Sequence, residues 1–253
     1  MPRVISVVNQ KGGVGKTTTA INLAAGLALA ERRTLLVDLD PQGNATTGLG
    51  LEKDGVYPST YHVLLEGASI EEAHRDTALP FLWVVPSDID LVGAEVELVT
   101  TTDRERRLKL SLAGSAEQYD YVIIDCPPSL GLLTVNALTA ADSTLVPLQC
   151  EYYAMEGLAQ LLRTINLVKE RLNPVLRIEG IVLTMFDGRT SLATQVKAEV
   201  QQHLGGQVFS TVIPRNIRLS EAPSHGKPVA LYDLRSAGAT AYLELTKEVL
   251  SHG

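Results

Sequence analysis

The sequence QKGGVGKT at residues 10–17 decides the fold, because it joins two segments of opposite character. Residues 3–9 before it are rich in β-branched side chains and predict a short buried strand. Residues 16–30 after it are rich in alanine and leucine and predict a helix. A glycine-rich loop that ends in Gly-Lys-Thr between a strand and a helix is typical of a phosphate-binding P-loop.

The P-loop interpretation gives each residue type a task. Glycines let backbone N–H groups converge on phosphate oxygens, and the N-terminus of the following helix adds positive potential. The Lys16 ammonium would reach the outer phosphates, and the Thr17 hydroxyl would ligate magnesium. The loop departs from the standard pattern G-x-x-x-x-G-K-[ST], since Gln10 replaces the first glycine and Lys11 is an additional lysine. The loop residues expected to bind ATP are Lys11, Gly12, Gly13, Val14, Gly15, Lys16, Thr17 and Thr18.

Strand-like and helix-like segments alternate along most of the chain. Further strands are predicted at residues 34–38, 81–85, 121–125, 143–148, 178–186 and 208–213. Further helices are predicted at residues 103–112, on the surface, and at residues 155–172, 191–204 and 237–250. This alternation predicts an α/β fold with a mostly parallel, twisted sheet covered by helices on both faces. Because there are no repeats and no low-complexity linker, we expect residues 1–253 to form a single P-loop ATPase domain.

Composition and charge limit the function classes. The chain has 45% hydrophobic and 20% charged residues, and no apolar run approaches the roughly 18 residues that a membrane helix needs. Cys126 and Cys150 lack the number and spacing of a disulfide framework or a zinc site, so we expect a cytoplasmic protein. The net charge is −7, but residues 1–150 carry 11 Lys+Arg and 19 Asp+Glu, whereas residues 151–253 carry 11 and 10. A locally basic face is therefore expected in the C-terminal part.

Acidic residues follow two of the predicted strands, at the edge where a parallel sheet binds ligands. Asp38 and Asp40, in VDLDPQG, are two residues apart, so on a strand they would share one face. Asp125 ends the apolar strand YVIID and precedes Cys-Pro-Pro-Ser. Beside a phosphate site, these carboxylates could contact magnesium-bound water or an attacking water. Alternatively, they are strand-end residues that cap turns.

The segment KGGVGKT resembles the deviant Walker A motif of the ParA/MinD family of ATPases. The resemblance implies that Lys11 is the signature lysine, which reaches the phosphates bound by the other subunit of a nucleotide-sandwich dimer. VDLDPQG looks like the family's Walker A′ motif, which implies that Asp40 orients the attacking water and Asp38 assists on the magnesium side. DCPPS resembles the family's DxPP segment, with Asp125 as the Walker B aspartate. The expected catalytic residues are Lys11, Lys16 and Asp40, and the expected magnesium-side residues are Thr17, Asp38 and Asp125.

The resemblance covers nearly the whole chain and is closest to the short chromosomal (Soj) branch of the ParA-type partition ATPases. It extends through YVIIDCPPSLGLLTVNAL, EYYAMEGL, TMFDGRT and VIPRNIRLSEAPSHGKPV. It implies an ATPase with Mg²⁺ as cofactor, in which ATP binding drives a homodimer that binds double-stranded DNA without sequence preference. A ParB-like partner would stimulate slow hydrolysis and release the DNA, so we expect the protein at the nucleoid and not at a membrane.

The same resemblance implies that Pro214 and Asn216 line the adenine site and that Arg189 and Arg218 bind DNA. Contacts from arginine to DNA phosphates are independent of sequence and weaken with salt. Both arginines lie in the less acidic part of the chain. Alternatively, residues 214–216 form an ordinary exposed turn, and each arginine is a solvated surface charge.

Three other functions use a similar fold. A MinD-like membrane-associated switch should end in a basic amphipathic helix, whereas residues 242–253 contain Glu244, Lys247 and Glu248 without a basic cluster. An electron-transfer ATPase like the nitrogenase iron protein would hold an iron–sulfur cluster through cysteines in a motif that is not found around Cys126 or Cys150. A small-molecule ligase or kinase would need a substrate pocket that the sequence does not reveal.

Overall fold

The computed structural model describes residues 2–53, 55–152 and 154–252. Outside these ranges lie Met1, Asp54, Gly253 and Tyr153, the last of which belongs to the segment EYYAMEGL. The strands are β1 (Arg3–Val7), β2 (Thr34–Asp38), β3 (Arg75–Asp76), β4 (Leu82–Val85), β5 (Tyr121–Asp125), β6 (Ser143–Gln149), β7 (Arg177–Phe186) and β8 (Val208–Pro214). The first six helices are α1 (Lys16–Leu29), α2 (Asn44–Gly48), α3 (Thr60–Leu65), α4 (Ile70–Ala73), α5 (Leu91–Glu97) and α6 (Arg107–Leu112). The remaining helices are α7 (Leu132–Ala140), α8 (Ala154–Arg171), α9 (Ser191–Leu204), α10 (Ile217–Glu221), α11 (Val229–Tyr232) and α12 (Ala237–Ser251).

The strands of the described chain form one sheet in the order β3-β4-β2-β5-β1-β6-β7-β8. Neighbouring strands are parallel, apart from the antiparallel pair of β3 and β4 at one edge. This arrangement confirms the predicted α/β fold with a mostly parallel sheet. In the register of the central strands, Asp125 pairs with both Val7 and Asp38, so the ends of β1, β2 and β5 meet at one edge.

Side chains that alternate along the central strands separate two hydrophobic cores, because successive residues of a strand face opposite sides of the sheet. Val4, Leu35 and Val122 belong to one core, which α3, α5, α6, α7, α8 and α9 help to form. Ile5 and Leu36 belong to the other, which α1, α11 and α12 help to form. The sheet is therefore covered by helices on both faces, as the alternation of elements predicts.

The predicted surface helix at residues 103–112 is wrong in extent, and one face of the shorter helix is buried. Asp103 has φ of 54°, which interrupts a helix, and α6 begins only at Arg107. Leu108 and Leu112 are buried, and the Leu108 amide donates to Asn136 Oδ1 on α7 at 3.1 Å. The first strand also ends at Val7, two residues before the predicted end, and α7 was not predicted at all.

Two leucines of α1 allow a matched test of the core. Leu23 is fully buried, whereas Leu29 on the same helix is half-exposed. We expect Leu23→Ala to lower the free energy of unfolding by about 2–5 kcal/mol, since it removes packed methyl groups and leaves a cavity. Leu29→Ala should lower it by less than about 1 kcal/mol. Urea unfolding measures both, and equal losses would contradict the described packing of α1.

Candidate active site

The loop between β1 and α1 is curved around a cavity of about 330 Å³. Gly13 and Gly15 have φ of 75° and 86°, in the left-handed region where a side chain would be strained. Gly15 is the N-cap residue of α1, and its carbonyl accepts the Thr19 amide at 2.9 Å. The described residues lining this cavity include Gly12, Gly13, Gly15, Lys16, Thr17, Thr18, Asp40, Gln42 and Pro128. Most of the predicted phosphate-loop residues and Asp40 are therefore brought together around one space, while Val14 is buried behind them.

Lys16 is buried within this loop. Its ammonium donates to the Lys11 carbonyl at 2.9 Å. Burial lowers the pKa of Lys16, and this effect is opposed by the negative charge of Asp125 and, more weakly, of Asp40. The ammonium is thus held close to its own loop by a neutral carbonyl, which a phosphate oxygen could replace.

Asp38 is fully buried and its carboxylate is already hydrogen-bonded. Oδ2 accepts the amide and hydroxyl of Thr46 at 2.8 and 2.7 Å, and Oδ1 accepts the Asp40 amide at 3.2 Å. Burial raises the pKa of Asp38 to about 6, although the hydrogen bonds from Thr46 lower it. These bonds fix the start of α2 to the end of β2.

Asp40 lines the first cavity from a turn, whereas the sequence predicts it on a strand. Because β2 ends at Asp38, the expectation that Asp38 and Asp40 share one face of a strand is wrong. A turn follows instead, in which the Gly43 amide donates to the Asp40 carbonyl at 2.9 Å. The Gln42 amide donates to Asp40 Oδ1 at 3.0 Å, and this bond orients the carboxylate at the cavity wall.

Asp125 is the least compensated charge of the site. It is fully buried, and within the described part of the chain neither carboxylate oxygen has a hydrogen-bond partner. Burial raises the pKa of Asp125 well above its usual value, and the nearby charge of Asp38 raises it further. The Thr17 hydroxyl faces Asp125 and lowers its pKa, although it falls short of full hydrogen-bond geometry.

These features fit a magnesium ion that is held mainly by phosphate and water. The two unpartnered oxygens of Asp125 and the hydroxyl of Thr17 are hard oxygen ligands of the kind that Mg²⁺ prefers. Over the residues that the structure describes, no group of three or more His, Cys, Asp or Glu side chains could enclose a metal ion. A site with few protein ligands is usual for magnesium that is bound together with a nucleotide.

Lys11 and Gln10 tie the start of the loop to the region before and within α8. The Lys11 ammonium forms an ion pair with Glu151, and both side chains are about half-exposed. The Gln10 amide group donates to the Gly157 carbonyl at 3.3 Å and to Gln160 Oε1 at 3.1 Å. Lys11 is thus directed to the surface of the molecule, whereas Lys16 is directed into its own loop.

A second cavity, of about 450 Å³, adjoins the phosphate loop. It shares Gly15, Thr18 and Met185 with the first cavity, so these three residues lie between the two spaces. Pro214 and Asn216, both predicted for the adenine site, lie in its wall. Its lining also includes Ile213, Ile217, Leu219, Pro223 and Tyr242. A largely apolar space with a few polar groups, next to a phosphate loop, is suited to a nucleobase.

The two arginines predicted to bind DNA follow β7 and β8, and each is paired with carboxylates. Arg189 is almost fully exposed and donates to both oxygens of Asp187 at 2.8 and 2.7 Å. These hydrogen bonds lower the pKa of Asp187 to about 2. Arg218 contacts Glu221 at 2.7 Å and Asp233 at 3.2 Å. The arginines therefore lie at the same edge of the sheet as the nucleotide cavities, within reach of solvent.

Several residues of the site carried no usable sequence signal. Thr46, which holds Asp38, lies in a polar segment, NATTG, where any of the polar residues could serve. Glu151 is one of many acidic residues, and its pairing with Lys11 spans 140 positions. Tyr242 reaches the second cavity from α12, where its buried hydroxyl lies 3.1 Å from that of Thr19. Only the helical spacing of α12 indicates that Tyr242 faces inward.

The fold and the loop together define a P-loop nucleotide hydrolase, and comparisons with known proteins agree. Residues 2–178 match the model of a family described as an AAA domain. The chain is 60% identical over 98% of its length to the chromosome partitioning protein ParA of Myxococcus xanthus, covering 88% of that protein. It is 57% identical to the sporulation initiation inhibitor protein Soj of Bacillus subtilis, with all of both chains covered.

A solved structure from Mycobacterium smegmatis with bound ADP and magnesium, described as cobyrinic acid a,c-diamide synthase, superposes with a TM-score of 0.88. That chain is 42% identical, and the match covers all of the present chain and 95% of the other. The present chain therefore belongs to the ParA/Soj branch of the ParA/MinD family of ATPases. It is an ATPase, and magnesium is its cofactor.

Asp125 gives a prediction that combines stability with pH. Because its pKa is raised in the folded protein, folding of the nucleotide-free protein takes up a proton, and stability falls as pH rises above the unfolded pKa of about 4. Asp125→Asn removes this loss. We expect the variant to unfold like the wild type near pH 4.5 and to be more stable by about 1–3 kcal/mol at pH 8.

The measurement is urea unfolding without nucleotide at the two pH values. Asp76→Asn, on the exposed edge strand β3, is the control: it retains Asp125 and should gain no stability over the wild type at pH 8. Asp125→Asn should also lose most of the stabilisation that magnesium and ATP give to the wild type. A variant less stable than the wild type at pH 8 would contradict the account of Asp125 as an uncompensated buried charge.

Proposed function

We propose that the protein is an ATP-driven DNA-partition switch. ATP binding drives formation of a nucleotide-sandwich homodimer, and the dimer binds double-stranded DNA without sequence preference. A ParB-like partner stimulates slow hydrolysis, which releases the DNA, so the protein is associated with the nucleoid in the cytoplasm. The observation that carries the proposal is the division of work between the two loop lysines, one directed inward and one outward. Identities of 57–60% to partition proteins support it.

The environment of Lys11 supports the proposed dimer. Its ammonium is paired with Glu151 at the surface, in an exposed ion pair of the kind that contributes at most about 1 kcal/mol. A triphosphate presented by a second copy would offer Lys11 a stronger anionic partner than one carboxylate. A cation there would also stabilise the charge that develops on the transferred phosphoryl group. Lys11 would then make hydrolysis depend on dimerisation.

The remaining roles in hydrolysis follow from positions around the first cavity. Asp40, at the wall of the cavity, would orient the attacking water, and Lys16 would bind the outer phosphates. Thr17 and Asp125 would hold magnesium, Asp125 through bound water, with Asp38 adding negative charge behind them. When bound, magnesium would neutralise charge on the phosphate oxygens. The amides of residues 11–18 would bind the phosphates, and Pro214 and Asn216 would flank the adenine.

DNA binding is assigned to Arg189 and Arg218. Both are exposed, and both pair with partly exposed carboxylates, which DNA phosphates can replace. A dimer doubles the number of such contacts, and each contact multiplies the affinity for DNA. ATP-driven dimerisation would therefore raise a weak affinity for DNA to one that holds the protein there. Release after hydrolysis would follow from loss of the dimer.

The alternative of a MinD-like membrane switch finds less support, because α12 is part of the fold rather than a free amphipathic helix. Tyr242, Leu245 and Val249 are buried in the hydrophobic core that α1, α11 and α12 form with one face of the sheet. Glu248 accepts the Ser210 and Thr211 amides at 2.9 and 2.8 Å, which fastens α12 to β8. In the part of the chain that the structure describes, no helix is both long and apolar enough to cross a bilayer.

Replacement of Asp40 tests the assignment of the attacking water. We expect Asp40→Ala to bind ATP and to dimerise, since the phosphate loop is intact, but to hydrolyse ATP at least about a hundredfold more slowly. The ATP-bound dimer should then stay on DNA. Turnover and DNA release are measured together, with Asp76→Ala on β3 as the control. Wild-type turnover by Asp40→Ala would remove Asp40 from the mechanism.

Charge reversal tests the proposed DNA contacts. We expect Arg189→Glu and Arg218→Glu each to weaken binding of the ATP-bound protein to DNA at least about tenfold and to reduce its dependence on salt. ATP hydrolysis without DNA should be unchanged. The matched control is Arg177→Glu. It alters an exposed arginine at the start of β7, at the opposite ends of the strands from the nucleotide cavities. If all three variants weakened binding equally, only net charge and no particular surface would be involved.

A further inference from the structure

An apolar stripe on the outer side of α5 has no role in the nucleotide site or in the proposed DNA surface. It consists of Ile89, Val92, Val96 and Val99, whose side chains are 66%, 53%, 74% and 54% exposed. Ile89 lies in the turn before α5, where its carbonyl accepts the Val92 amide at 3.0 Å, and α5 passes directly into a 3₁₀ turn at Leu98–Thr100. The spacing of three, four and three residues therefore places the four side chains along one side. Single exposed hydrophobic residues are ordinary, but four β-branched ones along one helix face are typical of an interaction surface.

The stripe is not a misplaced part of the core, because α5 already has a buried face. Leu91, Ala94 and Leu98 are fully buried in the hydrophobic core on the α3 side of the sheet. Their own spacing of three and four residues points them away from the stripe. The helix is therefore fixed to the body of the molecule by one apolar face and presents a second to solvent.

Carboxylates border the stripe on one side. The Tyr61 hydroxyl donates to both oxygens of Glu97, at 3.1 and 3.2 Å. Asp90 and Glu97 are the N-cap and last residues of α5, Glu66 is the C-cap residue of α3, and all three are exposed. The hydrogen bond to Glu97 raises the pKa of Tyr61, and the charges of Glu66 and Asp90 raise it further. At the far end, Arg104 donates to the Val99 carbonyl and pairs with Glu105, so its charge is matched. Lys53 lines a cavity with Ile89 and Asp90, but its ammonium donates to the Gln42 carbonyl at 3.1 Å. Carboxylates therefore outnumber free cations along this border, which disfavours both anionic lipid and a symmetry-related copy of the same surface.

The stripe is connected to the chain segments next to Asp38 and Asp125, at the ends of β2 and β5. In the segment leading into α5, the Ser87 amide donates to Thr46 Oγ1 at 2.9 Å, and Thr46 holds Asp38. Farther along, Glu95 packs against Gly131 in the segment that follows Asp125, where a Cβ on Gly131 would lie 2.0 Å from Glu95 Oε1. A partner that shifted α5 would therefore act on the ends of β2 and β5 together.

We propose that the α5 stripe, with its acidic border, is the docking surface for a basic amphipathic segment of the partner that stimulates hydrolysis. Apolar side chains of that segment would cover the valines, and its lysines or arginines would pair with Glu66, Asp90 and Glu97. Docking acts on hydrolysis through Ser87–Thr46 and Glu95–Gly131. The regulatory part of this proposal rests on the proposed function, whereas the binding chemistry of the surface does not.

Two valines of nearly equal exposure allow a matched test. Val96 lies in the stripe, and Val175, 70% exposed, lies in the turn before β7 at the opposite edge of the sheet. The probe is a fluorescent synthetic helix of leucine and lysine, with an otherwise identical helix of leucine and glutamate for comparison. We expect Val96→Lys to weaken binding of the lysine helix at least about tenfold and Val175→Lys to leave it unchanged. The glutamate helix should bind to none of the proteins.

Equal binding by both variants, or binding of the glutamate helix, would overturn the docking surface. The same variants are then assayed for ATP hydrolysis with a ParB-like protein from the same source. Loss of stimulation in Val96→Lys, with basal hydrolysis retained, supports the proposal. If the wild type is not stimulated while the binding pattern holds, the partner in the proposed function is wrong and the surface stands. If Val96→Lys instead abolishes ATP-dependent dimerisation, the stripe is an interface between copies, and the proposal is wrong.

Discussion

The burial of charged groups at one edge of the parallel sheet is the constraint on which the rest of the structure depends. Strands β2, β5 and β1 are neighbours, so the phosphate loop and two acidic strand ends converge there. Lys16, Asp38 and Asp125 are all buried. Burial lowers the pKa of Lys16 and raises the pKa of Asp38 and of Asp125, so it favours the neutral form of each group. A phosphate that arrives with magnesium supplies the missing opposite charges, so the folded site is matched to a ligand that carries both signs.

Charged side chains farther from the buried site are at least partly exposed, and each is paired with an opposite charge. Lys11 pairs with Glu151, Arg189 with Asp187, and Arg218 with Glu221, all on or near the surface. Such exposed pairs contribute little to stability, so exchanging a carboxylate for a phosphate costs little. The buried charges line the nucleotide site, whereas in the proposed function the outer ones bind a second copy of the chain or DNA.

Sequence reasoning reached the centre of the sheet and the phosphate loop because both have strong local signals. The runs TLLVD and YVIID coincide with β2 and β5 residue for residue. It failed where contacts between distant residues decide the structure. Apart from β3 and β4, the described elements of residues 51–118 are short helices whose apolar residues are too few to show a period. The segment 103–112 resembled one surface helix because six of its ten residues are charged. Thr46 and Glu151 act through partners that no local pattern indicates.

The most direct test of the account is DNA binding by the purified protein without nucleotide, with ADP and with ATP, each at low and high salt. The account predicts binding that requires ATP and weakens steeply with salt, because dimerisation gathers arginine contacts to phosphate. Binding of equal strength in all three nucleotide states would contradict the switch. Absence of DNA binding in every state, with ATP hydrolysis intact, would leave an ATPase whose target is not DNA.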